Sequence, residues 1–165
     1  WLALRGYIPI EVTKLWMINL QLNAVVNDYN YTLNDARTKV QQFCWAVSCQ
    51  QNFSITETFS AELNAWVNSG ETYGFQTGKA MGALDIGISK KIFKNNGSLK
   101  LSLQDPFNFC NYKADFNYDY LSGKGQYNWD NRSILLNFTY NFGNQNVQIR
   151  QWQSKFREAN AEQKK

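Results

Sequence analysis

Glu62 and Asp85 are the first places in this chain to look for acid–base chemistry. Both lie in strongly patterned runs, "FSAELNAWV" and "LDIGIS", and both fall on the polar side of those runs. Two carboxylates on one wet face can divide general-acid and general-base work. The partners such chemistry needs are missing. Histidine is absent from the chain, which removes the commonest general base and the commonest zinc ligand together. No Gly-x-Ser-x-Gly elbow, phosphate loop or zinc-ligand cluster occurs. Isolated charges on a hydrated face are the ordinary account of Glu62 and Asp85. Neither an enzyme nor a cofactor or metal site is expected.

The cysteines add no chemistry. Cys44, Cys49 and Cys110 are an odd number without a CxxC pair. Cys44 and Cys49 lie five apart, so one strand would point them to opposite faces, where they cannot bond each other. Inert structural thiols are expected. A net charge of +4 suggests nucleic acid at first sight. Its placement argues against that, because the stretch after Gly143 holds Arg150, Lys155, Arg157, Lys164 and Lys165 against Glu158 and Glu162. Three of the four net charges therefore sit in a terminal tail, and no nucleic-acid partner is expected.

The residues that might bind something need elements to hold them, and a period of two supplies these. "WMINLQLNAVVN" sets Trp16, Ile18, Leu20, Leu22, Ala24 and Val26 against Met17, Asn19, Gln21, Asn23, Val25 and Asn27. "QFCWAVSCQ" sets Phe43, Trp45, Val47 and Cys49 against Gln42, Cys44, Ala46, Ser48 and Gln50. The run at 59–67 sets Phe59, Ala61, Leu63, Ala65 and Val67 against Ser60, Glu62, Asn64 and Trp66. Leu84, Ile86 and Ile88 oppose Asp85, Gly87 and Ser89, and Leu99, Leu101 and Leu103 oppose Ser98, Lys100, Ser102 and Gln104. The opening run places Leu2, Leu4 and Ile8 opposite Arg5, and the last places Ile134, Leu136, Phe138, Tyr140 and Phe142 opposite Ser133, Leu135, Asn137, Thr139 and Asn141. Seven amphipathic strands follow, with no helical period between them.

A soluble sandwich alternates in the same way. Two features favour a membrane barrel. Arg5, Glu62, Asp85 and Lys100 all take the polar face, while Asp28, Lys39 and Lys90 fall at strand ends. A cation on a lipid face at mid-depth costs roughly 2–4 kcal/mol, so its exclusion is expected of a barrel. The polar face is also rich in Asn, Gln and Ser, whereas a soluble sheet surface carries more Lys and Glu. Connections then alternate: short at about 9–15, 51–58 and 93–98, long at 28–39, 68–80 and 105–131. Short periplasmic turns and long extracellular loops have this order. The segment 105–131 reads as a projecting hairpin with its turn at "SGKG", residues 122–125. It carries Tyr112, Phe116, Tyr118, Tyr120, Tyr127 and Trp129, as a contact surface or as a girdle with a rigid extension.

"GYIPIEVTKLWMINLQLNAVVN", "GALDIGISKKIF", "LSLQDPFN" and "WDNRSILLNFTYNFGN" resemble the C-terminal barrel segment of the outer-membrane β-barrel family of Bacteroidota, related to TonB-dependent receptors. The resemblance spans about residues 5–146. Lys90, Lys91 and Phe93, then Asp105, Phe107 and Asn108, then Trp129, Asp130 and Arg132 are its most specific pieces. Pro106 departs from it and is expected to end strand pairing early. The resemblance implies a nutrient-importing plugged barrel of about 22 strands, energised from the inner membrane. A scaffold barrel within an outer-membrane complex, without transport, is the alternative.

The expected fold is thus all-β: an antiparallel transmembrane barrel segment of about seven meandering strands, residues 1–143, followed by a polar, basic periplasmic tail, 144–165. The chain opens on Trp1 without an initiator Met, so it reads as a processed protein or as roughly the last third of a larger one. Trp16, Trp45, Phe59, Phe138, Tyr140 and Phe142 are expected to face lipid or form girdles. Arg5, Glu62, Trp66, Asp85 and Lys100 are expected to face the lumen, and Tyr112, Tyr118, Tyr120, Tyr127 and Trp129 to make extracellular contacts. Outer-membrane lipid, the remaining strands with a plug domain, and outer-membrane lipoproteins or complex partners are the partners implied.

Overall fold

The computed structural model describes residues 1–33, 36–118, 120–127 and 129–142. The expected tail lies outside these residues. The described chain is built from strands: β1 (Leu2–Thr13), β2 (Trp16–Leu33), β3 (Ala36–Ser54), β4 (Phe59–Asn68), β5 (Thr72–Tyr73), β6 (Gln76–Gly78), β7 (Met81–Ile92), β8 (Gly97–Gln104), β9 (Tyr112–Tyr118), β10 (Leu121–Tyr127) and β11 (Ser133–Tyr140). Seven form one antiparallel sheet in the order β1-β2-β3-β4-β7-β8-β11. They are the seven runs read from the sequence. The sheet is open, and among the described residues β1 and β11 each pair along one edge only.

Register makes seven separate apolar faces into one. Leu20 stands opposite Cys49, Cys49 opposite Ala65, and Ala65 opposite Leu84. Further along, Ile88 meets Leu101 and Leu101 meets Leu136. Directly opposed residues share a face, so the apolar sets of all seven strands line up. The surface they make stays uncovered: Phe43 is 63%, Leu136 67% and Ile134 73% exposed. Ala114 is the only buried apolar side chain among the described residues. A sandwich would have hidden this face under a second sheet, and none packs there.

The apolar band ends abruptly. Val26 pairs with Phe43, but the next pair on that face is Asp28 with Gln41, followed by Asn30 with Lys39. Asp28 is held by Lys39 at 3.2 Å and by Gln41 Nε2 at 3.0 Å. From Trp16 to Val26 the band spans about 33 Å along the strand at ~3.3 Å per residue. Tilted by about 40°, that is close to the ~25 Å apolar height of an outer-membrane barrel.

Three expectations about connections need correction. Residues 28–33 and 36–39 are strand rather than loop, because β2 and β3 continue their ladder to Leu33 opposite Ala36. Beyond Val26 the polarity of the two faces is exchanged, with Asp28 and Asn30 on one and Tyr29 and Tyr31 on the other. Tyr29, Tyr31, Thr32, Thr38 and Val40 are good strand formers that keep the pairing. Residues 68–80 contain the small β5–β6 hairpin. Finally, "SGKG" is strand rather than turn: Ser122–Gly125 pair with β9, and the chain reverses between Tyr118 and Leu121. A Cβ on Gly125 would come within 2.4 Å of the Phe116 ring, so that ring lies against the bare glycine and supplies the contact its own side chain cannot.

The two long connections join each other. β6 pairs with β9, giving a second sheet of order β10-β9-β6-β5. β8 ends at Gln104, two residues before Pro106, so pairing stops at the proline turn as expected.

Candidate functional site

The polar face is organised in rows. One runs Tyr7, Gln21, Ser48, Trp66, Ala83, and the next runs Pro9, Asn19, Gln50, Asn64, Asp85. Trp66 stands among these amides and borders a hollow of about 270 Å³ with Tyr7, Gln21, Gln50 and Asn64. Tyr7 donates to Asn19 Oδ1 at 2.8 Å. Arg5 lies opposite Asn23 on the same face.

Glu62 and Asp85 do not form an acid–base pair. Glu62 binds Lys100 Nζ at 2.7 Å, and Asp85 accepts the backbone N–H of Asp105 at 3.0 Å. Asp105 is 2% exposed, and its carboxylate accepts the N–H groups of Phe109 at 2.8 Å and Cys110 at 2.8 Å. Asp85 therefore anchors the connection that leaves β8, and Asp105 folds it. That role for Asp105 was missed, although "DPFN" is a recognisable turn sequence.

Both long connections fold onto this polar face. Tyr29 Oη donates to the Thr72 carbonyl at 2.6 Å, which also accepts Gln42 Nε2 at 2.8 Å. The Thr72 N–H returns to Gln42 Oε1 at 2.7 Å, and Asn27 Nδ2 donates to Glu71 Oε1 at 3.0 Å. The connection encloses a cavity of about 460 Å³ over Asn23, Cys44 and Ala46, with Glu71, Tyr73, Met81 and Tyr112 in its walls. Beyond Met81 and Tyr112 a second hollow of about 300 Å³ is lined by Cys110, Tyr127 and Trp129. Volumes of this order suit small ligands.

The aromatic residues expected to make extracellular contacts sort into three places. Tyr112 and Tyr127 lie 6.1 Å apart between ring centroids, and Tyr127 stacks on Trp129 at 5.9 Å. Tyr118 meets Phe75 edge-on at 5.6 Å. Tyr120 stands apart, 89% exposed. Beside Trp129, Arg132 grips the Asp130 carboxylate with Nε and Nη2, each at 2.8 Å, and adds its backbone N–H at 3.2 Å. Those side-chain bonds first, then the backbone bond, hold the Asp130 carboxyl down at about 2.

On the opposite, apolar face, aromatics gather at the short-turn end. Trp16 stacks on Phe53 at 5.6 Å, and Phe93 meets Phe138 and Tyr140 edge-on at 6.4 and 5.7 Å. Tyr140 and Phe142 lie 4.7 Å apart, and Phe142 is 90% exposed. Phe59, opposite Lys90, belongs to this rim. Trp45 does not: it pairs with Ala24 near the other limit of the band. Phe53 and Phe93 join this rim although both fall in segments that the sequence reads as short connections, 51–58 and 93–98.

An open, single-layer antiparallel sheet with one continuous apolar band, an aromatic rim at its short-turn end and a polar reverse defines the wall of a membrane β-barrel. The chain matches the outer membrane protein beta-barrel family over residues 2–140 and belongs to it. Its place is accordingly the outer membrane. No curated protein and no solved structure is found to match.

Proposed function

We infer that the chain is part of the wall of a nutrient-uptake barrel of the TonB-dependent-receptor kind. The observation that carries this is the direction in which the long connections fold. Both cross the polar face and are tied to it through Thr72 and Asp105, so cavities form over a wet interior at one end of the sheet. A gated import route needs such a cover, whereas a barrel wall used only as an anchor does not. In this reading the exposed apolar face meets lipid. The edges of β1 and β11 pair with further strands around a plug, since unpaired amides in hydrocarbon cost several kcal/mol each. β11 ends beside the β7–β8 turn, with the Asn141 N–H on the Asn96 carbonyl at 2.8 Å. The residues after it then enter the periplasm.

A second reading, a scaffold in an outer-membrane complex, draws on the exposed aromatics at the long-connection end: Tyr73 at 83%, Tyr120 at 89% and Trp129 at 62%. Surfaces of this kind hold partner proteins, an outer-membrane lipoprotein among them. Deleting the gene in its host separates the two. The uptake reading expects slower growth when one nutrient is limiting, reproduced in the parent strain by collapsing the proton gradient. Normal growth and uptake, with loss of a co-purifying lipoprotein from the membrane, would establish the scaffold reading instead.

A further inference from the structure

We propose that the cavity under the β5–β6 connection, with the aromatic hollow beside it, binds an organic cation: an ammonium or guanidinium group joined to a flat or alkyl body. The two hollows share Met81 and Tyr112 as a common wall. At one end stands Glu71. Its Oε1 accepts Asn27 Nδ2 at 3.0 Å, and no cation pairs with the carboxylate among the described residues. At the other end Tyr127 and Trp129 offer stacked rings, 52% and 62% exposed, that attract a cation or a ring alike.

Charge decides the ligand class. Lys79 borders the cavity, but its ammonium is already paired with Asp115. Arg5 lines a neighbouring hollow beside Asn23, four residues along β2 from the Asn27 that holds Glu71. Arg5 is not among the residues that line the cavity Glu71 borders. Among the described residues of the lining, the Glu71 carboxylate is the one charge without an opposite partner, and an anion finds no free cation there. A neutral ligand gains the rings but nothing from Glu71. The site concerns binding alone and stands whether the barrel transports or scaffolds.

Three probes of one shape test it by titration calorimetry on the intact protein in lipid nanodiscs: tyramine (cation), tyrosol (neutral) and 4-hydroxyphenylacetate (anion). Tyramine should bind tightest and 4-hydroxyphenylacetate weakest. Glu71→Gln should weaken tyramine about fivefold, to the level of tyrosol, and leave tyrosol unchanged. Trp129→Ala should weaken tyramine and tyrosol together. Equal binding of tyramine and tyrosol by the unaltered protein, tightest binding of the anion, or no binding of tyramine overturns the assignment. So does a Glu71→Gln protein that still binds tyramine as before. The comparison of the three probes on the unaltered protein needs no variant to fold.

Discussion

Glu62 and Lys100 meet at 2.7 Å although a whole strand lies between theirs, and Gly87 is the residue they meet across. Glu62 on β4 faces Gly87 on β7 in register. A Cβ at Gly87 would come within 2.7 Å of Glu62 Cγ and 2.8 Å of Oε1. The bare backbone is what lets the carboxylate lie flat and reach β8. Both partners are partly solvated, at 39% and 27% side-chain exposure, so the pair itself contributes only about 0.5–1 kcal/mol. Gly87→Val should therefore cost more than Lys100→Met, because it displaces the side chain as well as breaking the pair. Urea unfolding of the protein in vesicles measures both. Equal losses would mean that the glycine has no special part.

Asp105 is the second test. Its carboxylate accepts two backbone N–H groups in a nearly closed site. Asp105→Ala strands both donors at about 1–3 kcal/mol. The expected result is faster proteolytic cleavage within 105–111 while the seven-stranded sheet keeps its resistance. Unchanged cleavage would show that the turn holds without its carboxylate.

Charge placed in the apolar band should be costly, and the same charge one residue away should not. Leu136→Arg should destabilise insertion by roughly 2–4 kcal/mol, and Asn137→Arg on the polar face by well under 1 kcal/mol. Folding equilibria into bilayers read the difference. If the two variants behave alike, the apolar face is not the lipid face.

The β7–β8 turn carries strain that can be relieved. Phe93, Lys94 and Asn95 have φ of 52°, 52° and 71° in succession. Each left-handed L-residue costs roughly 1–2 kcal/mol. Lys94→Gly should stabilise the protein by about 1 kcal/mol and raise the denaturation midpoint. Phe93 is a poor choice for this experiment, because its ring holds Phe138 and Tyr140.

Asp130 gives a pH signature. Its folded carboxyl sits at about 2 against an ordinary 3.8, so the charged pair with Arg132 is intact above 3.8 and is lost as pH falls through about 2. Carboxyl NMR titration should find that low midpoint, and Arg132→Ala should return it towards 3.8. The site is fully exposed, so global stability should hardly follow it.

How much of this was legible depends on which residues carried a contrast. Strand faces could be read because lipid and lumen demand opposite residues, and Leu20, Cys49, Ala65 and Leu84 obey that demand in register. Strand length could not. Past Val26 the larger apolar side chains of β2 change face, from Ala24 and Val26 to Tyr29 and Tyr31, and a pattern whose phase breaks looks like the end of a strand. "SGKG" misled for a different reason: two glycines signal a turn, and only the structure brings Phe116 over Gly125. Glu71 and the cavity carried no signal, since they depend on a connection folding back over β2 and β3.

The order β1-β2-β3-β4-β7-β8-β11 is simply the order of synthesis with two hairpins left out. Each strand of the wall therefore docks on the one made before it, and only the small covering sheet waits for distant segments to find each other. Low contact order of this kind favours fast pairing. The wall can rise strand by strand like a fence, and its cover is the last part hung.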